Sequence, residues 1–256
     1  IMVYGDYDVD GTTAVSIVYS FLKATHKKVD FYIPDRYNEG YGISIKGIDH
    51  AVSAGHKIMV SLDCGIKAVE KIQYANEKGL DVIICDHHRP GNKVPEATAV
   101  LDPKQKDCPY PFKELSGAGV GFKLIQALAI RFEMPPETTH AFLDLVAISI
   151  AADMVAIVGE NRTLSYYGLE SLNKSPRVGI IYLLNSAGIK NRSSLGQEHY
   201  FDRKITISDV VFSIGPKINA AGRIDTATDS VRLLISDNKD NATRLGSQIN
   251  ELNLTR

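Results

Sequence analysis

The stretch Val3-Tyr4-Gly5-Asp6-Tyr7-Asp8-Val9-Asp10-Gly11-Thr12-Thr13 places three carboxylates within five residues, where an apolar strand runs into a helix. Like charges this close favour a bound cation. In an extended chain Asp6, Asp8 and Asp10 project to one side, and Gly11 leaves the backbone open to close approach before the helix begins. Aspartate and glycine also build turns and helix caps. That explanation covers one such acid; three at this spacing, with more Asp and His at later strand ends, point to a metal.

Outward from this stretch the chain repeats one rhythm. Residues 1–4 read as a strand and 12–24 as a helix, with Ala14, Ile17, Val18, Phe21 and Leu22 at helical intervals. A strand over 29–33 stops at Pro34 and leads into the polar loop 35–42, after which 45–54 reads as a helix. Residues 57–62 form a strand ending on Asp63-Cys64-Gly65, 67–78 a helix stopped by Gly79, and 82–85 a strand ending on Asp86-His87-His88. The strands are continuous apolar runs, as expected where both faces of a parallel sheet are covered. In such α/β sheets ligands gather beyond the carboxyl ends of the strands, and three separate strands bring acid or imidazole there.

Length and composition agree with a soluble fold: 256 residues, 44% hydrophobic, enough to bury a sizeable core as one large domain or two smaller ones. Three cysteines without CxxC spacing argue against a disulfide framework or a structural zinc site and for a reducing, cytoplasmic setting. No signal peptide or membrane span is visible. A net charge of −1 says nothing about partners, because bound cations would offset metal-binding carboxylates. The chain opens on Ile1 inside an apolar run and its last helical pattern is still running at Arg256, so it is expected to be a piece of a longer protein.

Residues 92–115 read as a Pro- and Lys-rich connection without chemistry, with a short strand at 99–101. The cluster Ser116-Gly117-Ala118-Gly119 opens a helix to about Arg131; its amides suit a phosphate, and close helix packing is the alternative. Residues 139–152 read as a buried helix ending on Asp153, an acid that needs a partner. Helical patterns follow over 161–187 and 240–256. Between Lys174 and Lys204, six basic residues face only Glu198 and Asp202, either as a solvated face or along a polyanion. In the stretch 214–224, Asn219 and above all Arg223 stand out.

Carboxylates with one or two imidazoles and no thiolate suit Mn²⁺ or Mg²⁺. Two such ions about 4 Å apart would clamp a phosphate and acidify a water, and no Ser-His-Asp arrangement competes. Asp6-Tyr7-Asp8-Val9-Asp10-Gly11, Asp63-Cys64-Gly65, Asp86-His87-His88 and Ala152-Asp153 resemble, in order and spacing, the four motifs of the DHH phosphoesterases. Gly40-Tyr41-Gly42, Ser116-Gly117-Ala118-Gly119 and the stretch 218–223 further resemble the RecJ-type single-strand-specific 5′ to 3′ DNA exonucleases, over nearly the whole chain.

The resemblance implies an α/β DHH domain over 1–160, its parallel β-sheet flanked by helices. It also implies a smaller, mostly helical lobe over 161–237 and a C-terminal linker helix over 238–256, leading to a DHHA1-type domain beyond Arg256. Two Mn²⁺ (or Mg²⁺) ions are implied: Asp8 and Asp10 bind one each, Asp63 bridges them, and His87 with Asp153 completes the second site. Asp6 and Asp86 support this shell and His88 lies nearer the substrate phosphate. Arg223 and Asn219 hold a phosphate of the strand, with Arg36, Gly117 and Gly119 as further substrate contacts. Several members of the superfamily have a histidine where this chain has Tyr4, and Asp6 is the candidate to replace it.

Single-stranded DNA is the implied substrate and single-strand-binding protein and helicase the implied partners, with no membrane; the chain alone is expected to bind metal but degrade DNA feebly. The competing readings are a DHH phosphatase of nanoRNA, cyclic dinucleotides or bisphosphorylated nucleotides, and a scaffold that has lost its ligands.

Overall fold

The computed structural model describes residues 1–192, 199–224 and 227–254, with the side chains of Arg223, Ile224 and Leu254 outside that description. Among the described residues, β1 (Met2–Gly5), β2 (Asp30–Tyr32), β3 (Ile58–Leu62), β4 (Asp81–Cys85) and β5 (Ala99–Leu101) form one sheet in the order β2-β1-β3-β4-β5. Every pairing is parallel, with Val3 opposite Phe31 and Val60, and Cys85 opposite Leu62 and Leu101. The carboxyl ends of all five strands therefore share one edge.

Alternation along the strands sorts the core into two layers. Met2, Tyr4, Met59, Val82 and Ile84 pack on Ile48 and Ala51 of α2 (Ile45–Ser53) and Ile72 and Ala75 of α3 (Val69–Glu77). Val3, Val60, Leu62 and Cys85 face the other way, against α1 (Val9–Thr25), α4 (Gly117–Arg131) and α6 (Leu143–Ala152). Burial on both faces accounts for the unbroken apolar runs of the strands.

Beyond the short α5 (Glu137–His140) and α6 come α7 (Gly159–Lys174) and α8 (Val178–Asn185). They are followed by α9 (Ile207–Asp209), a π-helical turn Val210–Ile214, α10 (Gly215–Ile224), α11 (Thr228–Leu234) and α12 (Lys239–Leu254). The expected helix over 139–152 is thus two helices, and the one over 161–187 breaks before Pro176, whose ring cannot donate into a helix. One buried cluster runs from Val3 through Phe122 and Ile148 to Leu183, Val231 and Ile249, so the helices after residue 160 share a core with the sheet. No helix among the described residues is long and apolar enough to cross a membrane.

The opening stretch folds differently from an extended run. α1 begins at Val9, three residues earlier than expected, because Asp8 caps it: its Oδ1 accepts a hydrogen bond from the Gly11 amide at 2.9 Å. Asp6 follows the strand, Asp8 caps the helix and Asp10 lies in its first turn, so the three side chains do not line one side of a strand. The close approach that Gly11 permits is made by the chain itself, since a Cβ there would strike the Asp6 backbone.

Candidate metal centre

Asp63 ends β3, with its amide still donating to the Cys85 carbonyl at 2.9 Å and its backbone in the left-handed region at φ 58°. A non-glycine residue held there is strained. The turn aims a 2% exposed carboxylate at the sheet edge. Asp10, equally buried, is held by three donors from two helices: the Gly117 amide at 2.6 Å, the Ala118 amide at 2.8 Å and the Ser149 hydroxyl at 2.6 Å. Those amides belong to the first turn of α4, where free N–H groups favour an anion. The anion they hold is Asp10, and the Gly119 amide is spent on Ser116 at 3.2 Å. This corrects the expectation that Gly117 and Gly119 present amides to a substrate phosphate.

Close approach explains the glycine at 117. A Cβ on it would lie 2.6 Å from both Cβ and Oδ1 of Asp63. Gly119 meets nothing closer than 3.4 Å and is not needed in the same way.

Asp86 organises the two histidines without facing the cluster itself. Its Oδ1 accepts from the His87 amide (2.7 Å), the His88 amide (3.1 Å) and His88 Nδ1 (2.8 Å), and its Oδ2 from the Ile66 amide (2.9 Å). Burial pushes the Asp86 carboxyl up, but the hydrogen bonds from His88 and Ile66 outweigh it and leave it below the usual range. His87 points its Nδ1 at the Leu115 carbonyl, 3.0 Å away. Since a carbonyl only accepts, Nδ1 carries the proton and Nε2 offers a bare lone pair. That lone pair faces Asp63 Oδ1 at 3.1 Å, Asp10 Oδ2 at 3.6 Å and Asp153 Oδ2 at 3.7 Å.

Two neighbouring sets of candidate ligand atoms result, each within 4.8 Å: Asp10, His87 and Asp153 in one, and Asp6, Asp8 and Asp63 in the other. Asp63 also groups with His87 and His88, which places it between the two sets. Asp6 thus stands in one cluster with Asp8 and Asp63. Tyr4 serves the loop instead: its hydroxyl donates to the Gly42 carbonyl (2.9 Å) and accepts from the Ser44 amide (3.1 Å).

The donor set fits divalent cations on physical grounds. Asp6 Oδ2, Asp63 Oδ1 and His87 Nε2 are buried and have no hydrogen-bond partner, an arrangement that costs free energy unless a cation lies among them. Burial and then the neighbouring Asp8 charge push Asp6 up to about 7; burial and then Asp10 do the same to Asp153. Asp8 is raised by burial and by Asp10, and Asp63 is raised well above the usual range by burial and then by Asp10 and Asp8. Burial raises the Cys64 thiol as well, which keeps it protonated and out of the ligand set. Oxygen donors with one imidazole suit Mn²⁺ or Mg²⁺.

A pH dependence follows from these shifts. Below pH 7 the Asp6 and Asp153 carboxyls hold protons that a metal must displace, so binding strengthens as pH rises through 7. Without metal the sign reverses: raised carboxyl pKa values stabilise the fold at low pH and that contribution is lost above 7. The melting-temperature gain from saturating Mn²⁺ over EDTA should therefore be small at pH 5.5 and reach about 5–10 °C at pH 8. Differential scanning fluorimetry across this range checks it, and a gain that shrinks with pH contradicts the ligand set.

Around the centre, His88 Nε2 lies 3.3 Å from the Tyr41 hydroxyl, and its hydrogen bond to Asp86 raises its pKa. Exposed Arg36 stacks over Tyr7 with its guanidinium carbon 5.3 Å from the ring centroid, and Tyr7 packs edge-on against Tyr41. Half-buried Asn219 lies on α10, whose Gly222 packs so closely on the Tyr7 carbonyl that a Cβ would collide with it. The Arg223 side chain lies outside the described residues. Sequence reading missed Ser149, Ser116, the Leu115 carbonyl and Tyr41 as members of the site. Ser149 had a signal, standing one helical turn before Asp153 and so on the same face of α6.

Residues 1–150 match the family model described as the DHH family, N-terminal domain. The chain is 41% identical over 256 residues to the single-stranded-DNA-specific exonuclease RecJ of Bacillus subtilis (strain 168), covering all of this chain and 30% of that protein. It is 34% identical over 267 residues to RecJ of Escherichia coli (strain K12), covering 44% of it. The chain thus spans less than half the length of these curated relatives. Among solved structures, exonuclease RecJ bound to manganese superposes with a TM-score of 0.85 at 32% identity, over 99% of this chain and 61% of that one. RecJ from Thermus thermophilus in complex with Mn²⁺ gives 0.81 at 30% identity, over 99% and 35%.

Proposed function

The chain belongs to the DHH family, and on that premise we propose that it hydrolyses phosphodiester bonds of single-stranded DNA with two divalent ions, working from the 5′ end and releasing 5′ mononucleotides. The observation that carries the reading is the set of buried, unpartnered Asp6 Oδ2, Asp63 Oδ1 and His87 Nε2 in a ring of seven acid and imidazole groups. The likeness to manganese-bound RecJ supports the metal, and the curated relatives support the substrate. An inert scaffold is disfavoured, because a fold without ions gains nothing from this crowding of acids.

In this reading Asp8 and Asp6 would hold one ion and Asp10, His87 and Asp153 the other, with Asp63 available to both. Ions bound there supply positive charge for the phosphate oxygens and acidify a water. Leu115 fixes the His87 tautomer and Asp86 holds the His88 ring, as outer-layer partners do at metal centres. His88, kept more basic by Asp86, faces the phosphate as a proton and charge donor. Arg36 provides a guanidinium fork for a strand phosphate and Asn219 on α10 an amide for another, and Tyr41 offers a face to a base. Docking with a single-strand-binding protein or a helicase belongs to the same proposal.

A phosphatase of short nucleotides would use the same ions and differ only in the groove. Mn²⁺-dependent release from a long 5′-phosphorylated single strand, compared with that from a 5′-phosphorylated dinucleotide, separates the two. The long strand should be the better substrate per end, and preference for the dinucleotide overturns the exonuclease reading.

A further inference from the structure

The segment 92–115, which as sequence shows no chemistry, runs past the histidine side of the metal centre, where the Leu115 carbonyl meets His87. β5 lies beside β4, and the amide of Asp86 donates to the Leu101 carbonyl at 3.0 Å, so the turn after β5 leaves the sheet next to the two histidines. Asp102 shapes that turn: its Oδ1 accepts from the Lys104 amide at 2.7 Å and its carbonyl from the Gln105 amide at 3.3 Å. Pro103 stiffens it further. Facing it across a pocket of about 560 Å³ is the turn Arg89, Pro90, Gly91, which follows directly on His88.

Charge in this pocket runs against that of the whole chain. Arg89, Lys104, Lys106 and Lys113 line it with Glu114 as the opposing charge, whereas the chain as a whole carries −1. Glu114 pairs with Lys104 at 3.5 Å, and Lys113 donates to the Cys108 carbonyl at 2.7 Å. Among the described residues Arg89 and Lys106 are exposed and have no ion pair. Lys104 lies close enough to bear electrostatically on both His87 and Asp153.

A polyanion meets a difficulty here that these cations relieve. The centre presents Asp6, Asp8, Asp10, Asp63 and Asp153 to an incoming strand, and a basic rim is what draws and holds phosphates beside such acids. Arg36 follows β2 at one end of the sheet order and this pocket follows β4 and β5 at the other, with the metal centre between them.

We propose that the pocket between the Arg89 and Lys104 turns binds backbone phosphates of the single strand, at least one nucleotide away from the phosphodiester at the metal centre. This rests on the polynucleotide reading above. Arg89 and Lys106 make the phosphate contacts, and Lys104 with Lys113 sets the potential. Short substrates do not reach the pocket.

The test uses a 12-residue oligothymidylate with a phosphorothioate 5′ end and a 3′ fluorophore, followed by anisotropy in Mn²⁺ over a range of salt. The double variant R89Q/K106Q should bind it about tenfold more weakly, with a salt slope smaller by about 1.4 for two lost single-strand phosphate contacts. Its hydrolysis of a 5′-phosphorylated dinucleotide should equal that of the wild type. A second double variant, K27Q/K28Q, removes the same charge before β2, at the opposite edge of the sheet, and should leave 12-mer binding unchanged. Wild-type affinity and slope in R89Q/K106Q overturn the proposal, as does equal weakening in K27Q/K28Q or a parallel loss of dinucleotide hydrolysis. A wild-type chain that binds the 12-mer no better than the dinucleotide overturns the polynucleotide reading itself.

Discussion

Asp63→Asn is expected to lower Mn²⁺-dependent hydrolysis by about 10³-fold or more, several kcal/mol of lost charge stabilisation, while leaving the metal-free protein at least as stable as the wild type. Asparagine tolerates the left-handed backbone at this position, so the turn survives. What changes is the charge. Burial and the Asp10 and Asp8 carboxylates hold the Asp63 pKa well above normal. A carboxyl raised in the folded state contributes stability at low pH that is lost as pH rises through its folded value. Asparagine keeps the neutral form at every pH, so the metal-free variant should melt above the wild type once pH passes the raised Asp63 pKa, with the margin widening as pH rises further. In Mn²⁺ the order inverts, because the variant gains little from the ion. Calorimetry with and without EDTA, beside single-turnover hydrolysis, reads both signs. Wild-type turnover in the variant would remove Asp63 as the shared ligand.

Gly117→Ala tests the same carboxylate from the other side. The added methyl would sit 2.6 Å from Asp63 Cβ and Oδ1, so either the carboxylate or the start of α4 must move. Overpacking of this kind costs about 1–3 kcal/mol. A displacement near 1 Å at a reacting centre costs about 10²-fold in rate. Alanine at Gly119 meets only ordinary contacts from 3.4 Å outward and should behave like the wild type. Urea unfolding and single-turnover rates on the pair give the comparison. If Gly117→Ala retains full activity, the Asp63 carboxylate does not work from the position it occupies here.

The parallel sheet and its acidic edge were legible from residues 1–88, because unbroken apolar runs ending on Asp63, Asp86 and the opening acids admit few other folds. Asp8, Asp10, Asp63, His87 and Asp153 were nameable for the same reason, each standing at the end of an element. The beginning of α1 was misplaced because an aspartate cap looks, in sequence, like one more acid in an extended run. Asp8 caps α1 and stands in the acidic cluster as well.

Long-range contacts decided the rest. The glycines at 117 and 119 advertise an anion site, and no local rule reveals that the anion is Asp10, more than a hundred residues earlier. The segment 92–115 looked like a plain connection until parallel pairing set β5 beside β4 and carried its lysines into a pocket shared with the turn after His88. Sequence alone determined which residues are acidic, apolar and helical, and hence the sheet and the acids and imidazoles gathered at its edge, because periodicity and strand ends are local properties. Which acids and imidazoles come together, which amides are already spent and which cations lie nearby was decided only by tertiary structure, since those depend on distances between elements that the chain brings together from far apart.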